Sequence, residues 1–388
     1  MRQPVSSSKL VLRSAKAFSR RMALQSAAAA GTMLATGPWL ASEAFSSSGE
    51  LNVLHWADQL KDLIPKAFTD KTGIKINATT FSTDREQIEK LEAGKGEGFD
   101  LCQPALDRAS QWHDEGLLAP FDLGRLPNAK DVIPSLLAAS TALWQWNGAL
   151  FHVPHCWSSE AIAWRTDRTT IAYDALSYGT LWEEQYSGAV QGRAHSLLLG
   201  IGLWMDVTGR LPSNRMADAF KDETSFKRIY DEIAKFAVEH RPAIKQFWDT
   251  PDSIKAGFAD GGCIIGQVWD GPVTDLRAEG MPVTFMAPSE GAIAWIDGWT
   301  MTSTARNVDQ VYEFLNFLMT PETGAMVAAT SGYNPVVAGA VELLAEPAKA
   351  SFTEAYPGDA LQKLWPVRPE PVWLKSLRVQ YAEKLRSA

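Results

Sequence analysis

Leu51-Asn52-Val53-Leu54-His55-Trp56 is a short apolar-rich run that reads as a strand, and the alternation of elements that begins with it decides the fold. Residues 60–71 carry Leu60, Leu63, Ile64, Ala67 and Phe68 at helical spacing, and Thr72-Gly73 ends the run. Ile74-Lys75-Ile76-Asn77-Ala78-Thr79-Thr80-Phe81 reads as a second strand. A helix is expected over 83–93, ended by the glycines of 94–98, and Phe99-Asp100-Leu101-Cys102 reads as a third strand. A further helix over 106–115 stops at Gly116. Strands alternating with helices in this way predict an α/β unit with a mixed, largely parallel sheet.

The alternation returns past the middle of the chain. Residues 152–154 and 161–164 read as extended, and 224–240 as a helix with Phe226, Ile229, Tyr230, Ile233, Phe236 and Ala237 on one face. Cys263-Ile264-Ile265-Gly266-Gln267-Val268-Trp269 and Val283-Thr284-Phe285-Met286 read as strands, with a helix over 273–279 between them. Helices are expected over 308–319, 321–329 and about 373–385. No internal repeat or low-complexity tract interrupts residues 45–388.

The chain has 388 residues, a length that suits two domains. Apolar residues at 46% and charged residues at 21% exclude a disordered chain, and 28 Gly with 21 Pro exclude a collagen-like one. Three cysteines make no disulfide framework; Cys102, Cys156 and Cys263 lie in apolar stretches and read as buried free thiols. The 15 Trp outnumber the 8 Tyr, which points to aromatic recognition for a few of them and to core packing for the rest.

Residues 1–44 read as an address. Arg2, Lys9, Arg13, Lys16, Arg20 and Arg21 make the start basic, and 22–41 is an Ala-rich run without charge. Ser42-Glu43-Ala44 then offers small residues for cleavage, the pattern of a twin-arginine export signal. The rival reading is a membrane anchor, for which the run is long enough but poor in large apolar side chains. The remaining 344 residues carry 31 basic and 44 acidic side chains, a net charge of −13. Such a surface repels nucleic acid and anionic membrane and draws cationic ligands. A soluble protein in a periplasm-like space is expected.

Enzyme motifs are absent: there is no Gly-x-Ser-x-Gly, His-Glu-x-x-His or phosphate-loop pattern. Gly94-Lys95-Gly96-Glu97-Gly98 follows a helix and precedes a strand, the reverse of a dinucleotide fingerprint. His152 and His155 lack a nearby third ligand, and no metal or cofactor is expected.

Aromatic and carboxylate landmarks stand out instead. Trp56, followed by Ala57-Asp58, and Trp269, followed by Asp270-Gly271, end strands, where open α/β sheets bind ligands. Trp157 follows Pro154-His155-Cys156, and Trp295-Ile296-Asp297 follows Glu290-Gly291. An aromatic face holds an alkyl chain or stacks on a cation, and a carboxylate such as Asp297 accepts from an ammonium.

These pieces, together with Lys71-Thr72-Gly73-Ile74-Lys75-Ile76, Phe99-Asp100-Leu101, Gly266-Gln267-Val268-Trp269-Asp270-Gly271, Phe314-Leu315-Asn316-Phe317-Leu318 and Ser331-Gly332-Tyr333-Asn334-Pro335, stand in a characteristic order. Over nearly all of 50–388 the chain resembles the spermidine/putrescine-type periplasmic binding proteins, the solute receptors of ABC importers. The resemblance implies a two-lobed periplasmic binding protein fold (type II) with the ligand cleft between the lobes. It implies a first lobe of 45–157 and 297–340 and a second of 158–296 and 341–388. Lobe closure on the ligand would signal the membrane permease. Trp56, Trp269 and Trp295 would wall the cleft, Asp58 and Asp297 would meet an amine, and Tyr333 would border the pocket. The receptor would be a monomer, not an enzyme.

The chain departs from the family pattern in places. Gln59 stands where polyamine binders place a tyrosine. The second-lobe loop Gln191-Gly192-Arg193-Ala194-His195-Ser196 has no carboxylate, and Arg193 would oppose an ammonium. The first-lobe loop Gln103-Pro104-Ala105-Leu106-Asp107 lacks the usual hydroxyls. Glu160 is a replacement acid or a solvated strand charge. A polyamine or related small amine is the expected ligand. An amino-acid-like zwitterion or opine-like solute that meets Arg193 or His195 is the alternative, and an exported enzyme or a structural protein stand behind it.

Overall fold

The computed structural model describes residues 49–388 apart from 95 and 105–108. The expected export signal, 1–44, and residues 105–107 of the first-lobe loop lie outside the described residues.

Strand Glu50–Trp56 pairs parallel with Lys75–Phe81, Glu50 opposite Lys75 and Trp56 opposite Phe81, and parallel with the short strand Leu101–Cys102. Helix Leu63–Thr72 links the first two and turns Ile64 and Phe68 inward. Gly73 ends it in the left-handed region at φ 76°, with its N–H on the Thr69 carbonyl, a geometry that favours glycine.

Two long strands form the middle of the sheet. Val153–Arg165 and Ile293–Thr302 run antiparallel to each other. The sequence predicts two separate extended pieces in the first of these, 152–154 and 161–164, with Ser158-Ser159-Glu160 between them. The structure makes one strand, buried at every position but the last, because those three polar side chains find partners inside. Ile293–Thr302 pairs at one end with Leu101–Cys102, and Val153–Arg165 pairs at the other with Ile265–Trp269. Ile265–Trp269 opens a second parallel group with Val190–Gly192 and Ile244–Phe247. Pairing along this path is parallel at both ends and antiparallel in the middle. This is the two-lobed α/β fold: each parallel group with its helices belongs to one lobe, and the long strands join them.

Around the second parallel group, helices Ala194–Val207, Glu223–Glu239 and Val372–Arg386 share one apolar core that includes Leu198, Ile201, Ile229, Ile233, Leu374 and Leu385. Helix Ala194–Val207 replaces most of the loop expected over 191–196: Val190–Gly192 is strand and Arg193 is the residue before the first helical turn. Both sides of this helix are covered, so it lacks the polar stripe that marks an amphipathic helix.

Cys102, Cys156 and Cys263 are free and buried. Burial pushes the Cys102 thiol up to about 12 and the Cys263 thiol up to about 11, so both are unreactive. Among the described residues no helix is long and apolar enough to cross a membrane.

Candidate functional site

Trp56 ends the first strand, and its ring tilts against Phe81 with centroids 4.4 Å apart. Asp297 stands at a bulge in Ile293–Thr302, where the register against Val153–Arg165 shifts before Gly298. Gln59, buried, donates Nε2 to Asp297 Oδ2 at 2.8 Å. Tyr333 follows helix Pro321–Ser331 and the left-handed Gly332, and it donates its hydroxyl to Asp58 Oδ2 at 3.1 Å. Burial, and then the negative charges of Asp58 and Asp297, raise the Tyr333 phenol, which keeps it a donor. These side chains frame a cavity of about 440 Å³.

Tyr333 also borders a second cavity of about 550 Å³, with Trp269, Trp295, Ser158 and Asp270. The two indoles meet edge to face at 6.1 Å. Asp270 opens helix Asp270–Ala278 and is tied to three other segments. It accepts from Ser158 Oγ at 2.5 Å, Asn334 Nδ2 at 2.8 Å and the Tyr356 hydroxyl at 3.3 Å. Burial raises its pKa against the pull of these bonds. The Ser158–Asp270–Asn334 cluster ties three segments together at the wall of this cavity.

Behind Trp269 and Trp295 a third cavity, of about 310 Å³, is lined by Glu160, Arg193, His195, Arg368 and Arg378. The Arg193 guanidinium lies 5.2 Å from the centroid of the Trp269 ring. Glu160 is 3% exposed and accepts from Ser196 Oγ and Gln267 Nε2, each at 3.0 Å. Burial raises its pKa to about 7 against the opposing effects of Ser196, Arg193 and Gln267. Burial, reinforced by Arg193, Arg378 and Arg386, lowers His195 to about 3, so its imidazole is neutral.

Trp56, Asp58, Asp297 and Tyr333 thus share one cavity, and Trp269 and Trp295 wall the next. Glu160 and Arg193 reach neither of these carboxylates' cavities; they belong to the third. Trp157, a landmark in the sequence, is buried and donates Nε1 to the Pro335 carbonyl at 3.0 Å, a packing role. His152 bonds Ser140 Oγ at 2.7 Å, and burial lowers its pKa to about 3 and that of His155 to about 4. Among the described residues no group of three or more His, Cys, Asp or Glu is placed to hold a metal ion. Sequence reasoning missed Gln59 as the partner of Asp297, and it missed Asp270, Arg368 and Arg378. Asp270 carried a signal, since it follows Trp269 at a strand end.

Two carboxylates beside an aromatic face are groups of the kind that can meet a cation on a short carbon chain. The family described as bacterial extracellular solute-binding protein matches residues 64–355. The spermidine/putrescine-binding periplasmic protein of Escherichia coli is 24% identical over 358 residues, covering 92% of this chain and 97% of its own. The putrescine-binding periplasmic protein of the same species is 24% identical over 351 residues, covering 87% of this chain and 91% of its own. The solved structure of a spermidine/putrescine ABC transporter substrate-binding protein from Streptococcus pneumoniae superposes with a TM-score of 0.70 at 22% identity, covering 87% of this chain and 98% of its own. With a two-lobed fold, a cleft lined by aromatic rings and carboxylates, and a family match over three quarters of its length, the chain belongs to the bacterial extracellular solute-binding proteins.

Proposed function

We propose that the protein is the solute receptor of an ABC importer and binds a polyamine or related small amine in the cavity of Trp56, Asp58, Asp297 and Tyr333. The observation that carries this reading is the pair Asp58 and Asp297 in one cavity beside Trp56, each held by a neutral donor, Tyr333 and Gln59. An ammonium gains charged hydrogen bonds from both, and its alkyl chain gains the indole face. The names of the relatives support an amine rather than an amino-acid-like solute as the group this pocket recognises. The protein works by binding and lobe closure, without turnover, and hands the solute to a permease. In this reading the lobes are 45–157 with 297–340 and 158–296 with 341–388. The receptor is a monomer that reaches the periplasm through a twin-arginine signal, and its acidic surface keeps it off nucleic acid.

Calorimetry of the purified protein with putrescine, spermidine and agmatine tests the proposal. Saturable binding of at least one of them, lost or weakened in Asp297→Asn, is the expected result. No heat with any of the three, and none with other small amines, overturns it.

A further inference from the structure

The third cavity carries a charge that the amine pocket does not use. Arg193, Arg368 and Arg378 all line it. Arg378 Nε lies 3.0 Å from Glu370 Oε1, and Arg193 acts on Glu160 through its charge, whereas among the described residues no ion pair is seen for Arg368. Arg368 is half-buried, and its Nε is a buried donor without a partner. His195 is neutral, and Glu160 is turned into bonds from Ser196 and Gln267. Three guanidinium groups therefore share the cavity with two acids, Glu370 on Arg378 and the inward-bonded Glu160, inside a chain with a formal net charge of −8. A half-buried guanidinium without a counter-ion is destabilising, and its planar fork matches a carboxylate. The remaining walls include Phe220, Tyr230 and Trp365, which suit a short carbon chain rather than water.

We infer that this cavity is an anion subsite, and that it takes the carboxylate of a small aliphatic acid on Arg193 and Arg368, beyond the Trp269–Trp295 pair. The inference rests on the amine reading only for what occupies the neighbouring pocket. The carboxylate arrives either on the far end of the amine ligand or on a separate acid beside a bound amine.

A matched series separates these cases. Putrescine, γ-aminobutyrate and succinate share four carbons and differ only in whether each end is an amine or a carboxylate; 1,6-diaminohexane, 6-aminohexanoate and adipate repeat the set at six carbons. Each is titrated calorimetrically into the full protein, and the diacids are also titrated into putrescine-saturated protein. The expected result is binding of an ω-amino acid or of a diacid. Arg368→Gln and Arg193→Gln each then lower the affinity for that acid, relative to putrescine, at least tenfold, and Arg368→Lys recovers part of the loss. Binding of the ω-amino acid marks a carboxylate on the amine ligand; binding of the diacid to putrescine-saturated protein marks a separate acid. Diamines that bind while every acid fails sink the subsite and leave the amine reading standing. A diacid that binds while every amine fails does the reverse. Acid binding that neither arginine variant weakens also overturns the inference.

Discussion

Gln59 Nε2 and Asp297 Oδ2 lie 2.8 Å apart, joined by a hydrogen bond that spans 238 positions of sequence. The bond runs from the turn after the first strand to the long strand Ile293–Thr302, so it fixes the Asp297 carboxylate against a segment distant in sequence. Asp297→Asn removes the charge and should weaken amine binding by about 1.5–3 kcal/mol, the range for a hydrogen bond to a charged group. Gln59→Ala removes only the support and should weaken it by about 1 kcal/mol. Calorimetry with the tightest amine reads both. Equal affinity in Asp297→Asn and the parent would remove Asp297 from the site.

Glu160 gives the protein a pH dependence with a definite sign. Its pKa is raised to about 7 from 4.5, first by burial. Between these values the folded protein holds a proton that the unfolded chain has released. Stability from this group is therefore fully present below about 4.5, falls as pH rises toward 7, and is level beyond. The size of the effect is at most about 3 kcal/mol. Glu160→Gln should remove this group's fall, so that between pH 5 and 8 stability rises more, or falls less, in the variant than in the parent, where the lowered pKa values of His152, His155 and His195 act in the opposite direction. Gln267 Oε1 is buried without a partner, and an amide at 160 can donate to it. Chemical unfolding at pH 5 and 8 measures the slope. Parallel slopes in variant and parent would show that another group titrates.

The first parallel group was legible because its strands and helices are separated by plain stop signals, such as Thr72-Gly73, and because helix Leu63–Thr72 keeps a half-exposed face. Helix Glu223–Glu239 was legible for the same reason, with Phe226, Ile229, Tyr230, Ile233 and Ala237 all buried on one side. Helix Ala194–Val207 was not, because a helix covered on both faces loses its period. The cavity of Trp56, Asp58, Asp297 and Tyr333 was legible in part, because Trp56 is an aromatic landmark at a strand end. The arginine cavity was not, because what brings Arg368 to Trp295 is a long-range pairing: Trp365 and Pro366 lie parallel to Ile293 and Ala294. No local pattern in a segment with prolines at 366, 369 and 371 announces that contact.

Gly202 tests why the hidden helix tolerates glycine. A Cβ there would lie 2.3 Å from Met216 Sδ and 2.8 Å from Ile233 Cδ1, so the close approach of the helix to its neighbours needs the missing side chain. Helix propensity alone predicts that Gly202→Ala stabilises by up to about 1 kcal/mol. Overpacking predicts a loss of about 1–3 kcal/mol, and since Met216 is fully buried the loss should win. Urea unfolding decides the sign, and a gain in stability would mean that Met216 moves aside freely.

Asp100 is a buried acid whose partners in the folded protein favour its ionised form. Its Oδ2 accepts from Asn52 N at 2.9 Å, Asn52 Nδ2 at 3.1 Å and Asn307 Nδ2 at 2.9 Å, and its Oδ1 from Arg306 N at 2.9 Å and Asn307 N at 3.0 Å. Burial by itself would raise its pKa, but the bonds from Asn307, Asn52 and Arg306 outweigh it and the pKa is lowered. The carboxylate therefore clamps the first strand to the entry of helix Val308–Leu318. Because the folded pKa is depressed, this stability is present above the ordinary carboxylate range and is lost as pH falls through the folded value. Asp100→Ala leaves buried donors without an acceptor and should destabilise by about 3 kcal/mol at pH 7. Asp100→Asn restores one acceptor but presents a donor to donors, so it should recover little at pH 7. Both variants should show a shallower loss of stability than the parent between pH 4 and 2.5, because neither has a carboxylate left to protonate. If Asp100→Asn is as stable as the parent at pH 7, the clamp does not depend on charge; if it loses stability in acid as steeply, the acid sensitivity belongs to a different carboxylate.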